Sequence, residues 1–203
     1  MSAPPGYRGD MAVKRVSRTE ALKAFTNPLR LRLFYALAAR GSANATQLAA
    51  DIGTTPQLAY YHLTQLSEYG FVEQDQDNPG KGRERNWRHS GIGASYDPAE
   101  HPGDPEAQHT AELMIRAQAA VHFRQLEEFL AGKGDPKLRL EAFSADMIFW
   151  LSPDEMRMLR SELLDVLLRW KERTSTMPAA DQHQDGTQRS LAMVFLHGFP
   201  FAP

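Results

Sequence analysis

The chain has 203 residues, no cysteine and a formal net charge of −2. The missing cysteines exclude disulfides, thiolate metal sites and thiol redox chemistry, and the length allows one small domain with a second unit beside it. Residues 1–95 hold twelve Lys/Arg against eight Asp/Glu, a balance of +4, whereas residues 96–203 hold eleven against seventeen, a balance of −6, so attraction to phosphate belongs to the front half. No apolar run approaches the ~20 residues of a membrane span, and the opening MSAPPGYRGD has no signal-peptide core. The expectation is a cytoplasmic protein with no membrane partner.

Residues 1–16, rich in Pro and Gly, read as a flexible arm. Ser17 with Glu20 three residues on fits a capping box that starts a first helix. Asn27-Pro28 then opens a second helix, with Leu29, Leu33, Phe34 and Leu37 on its inward stripe. The richest stretch is Asn44 to Val72, which reads as a short helix, a tight turn at Gly53 and another helix ending near Gly70. Thr55 caps that last helix and Pro56 occupies its first position, where the missing N–H costs nothing. Ala59, Leu63 and Leu66 recur at helical spacing and face inward, which leaves Thr55, Gln57, Tyr60, Tyr61, Thr64 and Gln65 outward with no acid among them. Such a surface suits the major groove of DNA, where donors, acceptors and flat apolar faces are read against base edges and a carboxylate meets repulsion from phosphate.

After Gly70, two short strands around Pro79-Gly80 form a hairpin whose second arm is basic: Lys81, Arg83, Arg85 and Arg88. A helix-turn-helix followed by a basic hairpin is a winged helix, here spanning residues 17–90, with Arg30 and Arg32 as further candidates to hold phosphate. Residues 91–104 form a Gly- and Pro-rich linker. A long helix over 105–130 follows, with Leu113, Ala117, Ala120, Val121, Phe123, Leu126 and Leu130 on one broad stripe, and its alanines allow a second helix to come close. An exposed stripe of this kind is a liability on a monomer, so Leu113, Ala117, Ala120 and Leu130 are expected to make a homodimer.

The remaining chain reads as a strand from about Leu140 to Leu151, a helix from Ser152-Pro153-Asp154-Glu155 to about Arg173, and a second strand over the closing SLAMVFLHGFPF. Phe149, Trp150, Met156, Trp170 and Phe195 could wall a pocket for an apolar small-molecule effector, although a core or a dimer contact accounts for them as well. The fold class expected is therefore mainly α with small β: a winged helix-turn-helix domain, a long dimerisation helix, and a C-terminal strand-helix-strand unit within a region 105–203.

NPLRLRLFYAL, TQLAADIGTTPQLAYYHLTQLSEYGFVE and the basic hairpin together resemble the DNA-binding domain of ArsR-type bacterial transcription regulators, over residues 17–90. The resemblance implies a homodimer on double-stranded DNA, built with the helix after the wing and acting by default as a repressor. It also implies metal sensing in some members, but the thiolate type needs cysteines, and the zinc type needs histidines closer together than His109 and His122, which lie thirteen residues apart on nearly opposite helix faces. No cofactor is expected. Two rivals stand beside this reading: a winged helix that binds protein, and an enzyme carrying a winged-helix appendage. Against the second, no nucleotide-binding glycine loop, His-Glu-x-x-His or nucleophile elbow is present. His62 and Trp87 read as packing residues rather than as DNA contacts.

Overall fold

The computed structural model describes residues 22–80, 84–90, 103–175 and 190–202. The expected capping box at Ser17 and Glu20 and the flexible arm lie outside these residues, as do Lys81 and Arg83. The chain divides after Ala131 into two compact units. The boundary thus falls behind the long helix, whereas the sequence suggested the linker in front of it.

In the first unit a 3-10 turn, Lys23–Thr26, leads into α1, Pro28–Arg40. The Asn27 side chain accepts a hydrogen bond from the N–H of Leu29 at 2.8 Å and caps α1 as expected. Helix α2, Ala45–Ile52, begins with a full capping box in which Gln47 N–H donates to the Asn44 side chain at 2.9 Å and the Gln47 side-chain oxygen accepts from the Asn44 N–H at 3.0 Å. Gly53 (φ 67°) ends α2 in the left-handed region that L side chains avoid, and so allows the tight turn into α3, Pro56–Glu68.

Three strands flank these helices: β1, Ser42–Asn44; β2, Val72–Gln74; and β3, Asn86–His89. The order is β1-β3-β2, all antiparallel, with Ala43 opposite Trp87 and Trp87 opposite Gln74. Two of these strands are the hairpin read from the sequence. β1 was not anticipated, because three residues are too few to show a period of two.

Helix α4, Pro105–Leu130, keeps its expected bounds; the Asp104 side chain caps it through the N–H groups of Glu106 and Ala107 at 3.0 and 3.1 Å. Its packing face differs from the expectation. Ala107, Ala111, Met114, Ala117 and Val121 are buried, and the helix packs against the 3-10 turn and α1. Ala117 therefore belongs to the core of its own protomer and is not available for a dimer contact. Leu113, Ala120 and Leu130 are exposed, as are Ile115, Phe123 and Leu126. The short residues were claimed by the protomer's own core because close approach of α1 needs small side chains, and the larger apolar residues were left on the opposite face. The core of this unit is completed by Leu31, Leu33, Leu37, Leu48, Leu63, Leu66 and Val72 around an edge-to-face stack of Phe25 on Phe71 at 4.4 Å and on Phe34 at 5.0 Å.

The second unit contains a short helix, α5, Pro136–Arg139, and a long one, α6, Pro153–Ser175. The capping box expected at its start forms: Ser152 N–H donates to the Glu155 carboxylate at 2.7 Å, and Glu155 N–H to the Ser152 hydroxyl at 3.3 Å. The two strands expected on either side do not form. Residues 142–152 and 190–202 carry neither ladder nor helix, and α5 ends at Arg139, just before the first strand was to start. Met147 to Leu151 is apolar on both faces of any strand it could make, and a lone ribbon covered by one helix leaves one such face in water. The pocket expected from Phe149, Trp150, Met156, Trp170 and Phe195 is likewise not enclosed within one chain, since Trp150 is 101% exposed, Trp170 58% and Phe149 55%.

Candidate nucleic-acid interface

Helix α3 is positioned by its apolar side. Ala59, Leu63 and Leu66 are wholly buried and His62 is 7% exposed, so the opposite side must face solvent. That side presents Gln57, Tyr60 and Tyr61 as exposed and Thr64 and Gln65 as half-buried, with Thr55 exposed at the cap. Leu58, 41% exposed, joins them, a residue left unmarked in the sequence reading. The face is not free of acid to its end: Glu68 is exposed on the same stripe and accepts a hydrogen bond from Gln65 Nε2 at 2.9 Å. The acid-free stretch is therefore the N-terminal two turns, with Thr64 partly committed through its hydroxyl to the carbonyl of Tyr60 at 3.0 Å.

The sheet holds the wing against this helix. Trp87 is 3% exposed and meets the Tyr60 ring edge-on at 6.1 Å, which makes it the anchor of the hairpin. At the tip, Gly80 (φ 86°) lies so close to the Glu84 carbonyl that a Cβ would collide with it. Between the N-termini of α2 and α3 and the returning wing strand lies an open crevice of about 360 Å3, lined by Asn44, Ala45, Thr46, Pro56, Gln57, Tyr60, Glu84 and Arg85. Glu84 is fastened to one wall by Asn44 Nδ2 at 3.0 Å and the Thr46 hydroxyl at 3.2 Å. Arg85, exposed at the rim, has no hydrogen-bond or ion-pair partner among the described residues. Neither Thr46 nor Glu84 was marked from the sequence, since only the fold brings the α2 cap to the wing.

The other cations of this unit are differently employed. Arg88 is held by Glu73 at 2.8 Å, Asp77 at 2.6 Å and Asp75 at 3.7 Å. Burial pushes the Asp75 carboxyl up, but hydrogen bonds from the Ser42 hydroxyl and from the backbone N–H groups of Asn78 and Asp77, together with Arg88, outweigh it and hold the carboxyl below its ordinary range. Arg40 clasps Asp51 through two guanidinium nitrogens and ties α1 to α2. Arg30 and Arg32, expected to hold phosphate, are half-buried and turned inward. Arg30 donates to the carbonyl of Lys23 at 2.8 Å and Arg32 to the carbonyl of Ile52, so both guanidinium groups are committed to the backbone of neighbouring elements. His62 is kept neutral chiefly by burial and further by the nearby Arg30 charge, so its pKa falls below the usual histidine value.

A family model described as a helix-turn-helix domain matches residues 25–75. The chain carries a helix-turn-helix domain. The match runs from the 3-10 turn through α3 and β2 and stops before the returning wing strand and α4, which the structure adds to make a winged helix. This domain is the kind by which transcription regulators bind DNA. No curated protein matches the sequence. Among the described residues, no helix is long and apolar enough to cross a membrane.

Proposed function

We propose that this chain is a transcription regulator of the ArsR type that binds an inverted-repeat operator as a homodimer and acts as a repressor. The observation that carries the reading is the crevice: the exposed N-terminal face of α3, with Gln57, Leu58, Tyr60 and Tyr61, stands beside the one wing cation in the described residues that is not engaged elsewhere, Arg85. The first two turns of α3 enter the major groove, where Gln57 reads base edges and Leu58 and the tyrosine rings meet thymine methyls. Thr55, at the start of α3, donates to phosphate, and Arg85 holds the backbone beside it.

Dimerisation follows from α4. Ile115, Ala119, Phe123, Leu126 and Leu130 recur at four- and three-residue spacing on the side away from the core. This stripe replaces the set expected from the sequence and retains only Leu130 from it. A two-fold contact there sets two α3 helices about one helical turn apart on DNA. Repression is the outcome of covering a promoter with such a dimer. A gel shift with the promoter of the chain's own gene tests the reading: retention that survives excess random duplex supports it, and equal competition by random and promoter duplex refutes it.

A further inference from the structure

No described residue after Val121 is buried, yet the second unit is rich in large apolar side chains. Those of α6 are ordered. Met156, Leu164 and Leu167 are half-buried on one side, and along its edge run Leu159, Leu163, Val166 and Trp170, of which Leu163 is 41% exposed, Val166 42% and Trp170 58%. Their spacing of four, three and four is the seam of a coiled coil. The seam is also symmetric: Leu163 and Val166, and outside them Leu159 and Trp170, sit at equal distances from the midpoint between Leu164 and Asp165.

Charge follows the same symmetry. The first half of α6 carries Asp154, Glu155 and Glu162 against Arg157 and Arg160, a balance of −1, and the second half Arg169, Lys171 and Arg173 against Asp165 and Glu172, a balance of +1. Glu162 and Arg169 flank the seam on one side, one heptad apart, and neither has a partner among the described residues. In an antiparallel pair of helices the two positions on this flank face one another, acid against base, twice over. A parallel pair would instead set Glu162 beside Leu167 of the second copy and Arg169 beside its Thr174, and would form no such ion pair.

We propose that α6 is a self-association surface that takes the α6 of a second copy of this chain, antiparallel, about a two-fold axis at its midpoint. Leu163 packs against Val166 of the second copy, Leu159 against its Trp170, and Glu162 pairs with its Arg169. This contact lies in the C-terminal unit and does not rest on the DNA-binding reading, so each can fail without the other.

The test uses the full-length chain, whose lack of cysteine leaves a clean background. Leu163→Cys and Val166→Cys proteins are prepared separately, mixed in equal amounts and oxidised mildly with diamide. The expected product is a disulfide between the two different variants, formed much faster than by either alone. Linkage only of like with like, or none at micromolar concentration, overturns the proposal. Adding Glu162→Arg to both proteins should slow linkage about tenfold or more, and adding Arg169→Glu as well should restore it. Failure of that restoration, with helix content unchanged by circular dichroism, overturns the ion pair and with it the antiparallel register.

Discussion

Arg85 and Arg88 lie three residues apart on the wing, yet they should behave differently on DNA, because one is free and the other is held by Glu73, Asp75 and Asp77. Each phosphate contact contributes about 0.9 to the slope of log affinity against log salt. If Arg85 holds one phosphate, Arg85→Ala lowers the magnitude of that slope by about 0.9, and the advantage of the wild type over the variant shrinks about 3.5-fold between about 50 and 200 mM salt. The loss at low salt should be similar on operator and random duplex, since phosphate carries no sequence. Arg88→Gln should leave the slope unchanged and lower thermal stability instead, by the modest amount of a partly exposed ion-pair network. Fluorescence anisotropy on a labelled duplex over a salt series reads both. An unchanged slope for Arg85→Ala, or a lowered one for Arg88→Gln, would refute the assignment of which cation faces DNA.

Tyr61→Ala removes the most exposed ring of α3 and should cost about 1 to 3 kcal/mol of operator binding with little change on random DNA, measured by competition gel shift. Phe123→Asp on the outer face of α4 should convert a dimer to a monomer in light scattering while leaving the fold intact, because Phe123 is 63% exposed in the single chain. Phe25→Ala, at the centre of the aromatic stack, should destabilise the first unit by about 3 to 5 kcal/mol in urea titration. His62 has a folded pKa below its unfolded value of about 6.5, so the unfolded chain binds the extra proton; stability should be full above that pH and fall below it, and His62→Leu should flatten urea midpoints between pH 5 and 8.

Where local chemistry decides, the sequence was informative. Asn27-Pro28, Thr55-Pro56, Asp104-Pro105 and Ser152-Pro153 each start a helix where a cap and a first-turn proline coincide, because both satisfy needs of the backbone itself. The outer face of α3 was legible for the same reason, its buried side being short and regular. What was missed depends on distant partners. Arg30 and Arg32 look like free cations until the ends of neighbouring elements offer them carbonyls. β1 exists only because β3 returns beside it, and Glu84 reaches Asn44 and Thr46 only across that sheet. On α4 both faces are apolar enough to be buried, and only the fit of small residues against α1 decides which one is. The C-terminal strands fail differently: their residue types favour strands, but a single chain offers no partner to cover both faces.

As proposed, α3 reads sequence in DNA as half of a two-fold dimer. This is tested most directly by selecting binding sites for the purified chain from a pool of random duplexes. The expected result is enrichment of an inverted repeat whose half-sites lie about one helical turn apart, with the enrichment lost in Tyr61→Ala. Recovery of unenriched sequence, or of a single half-site bound equally well alone, would contradict it.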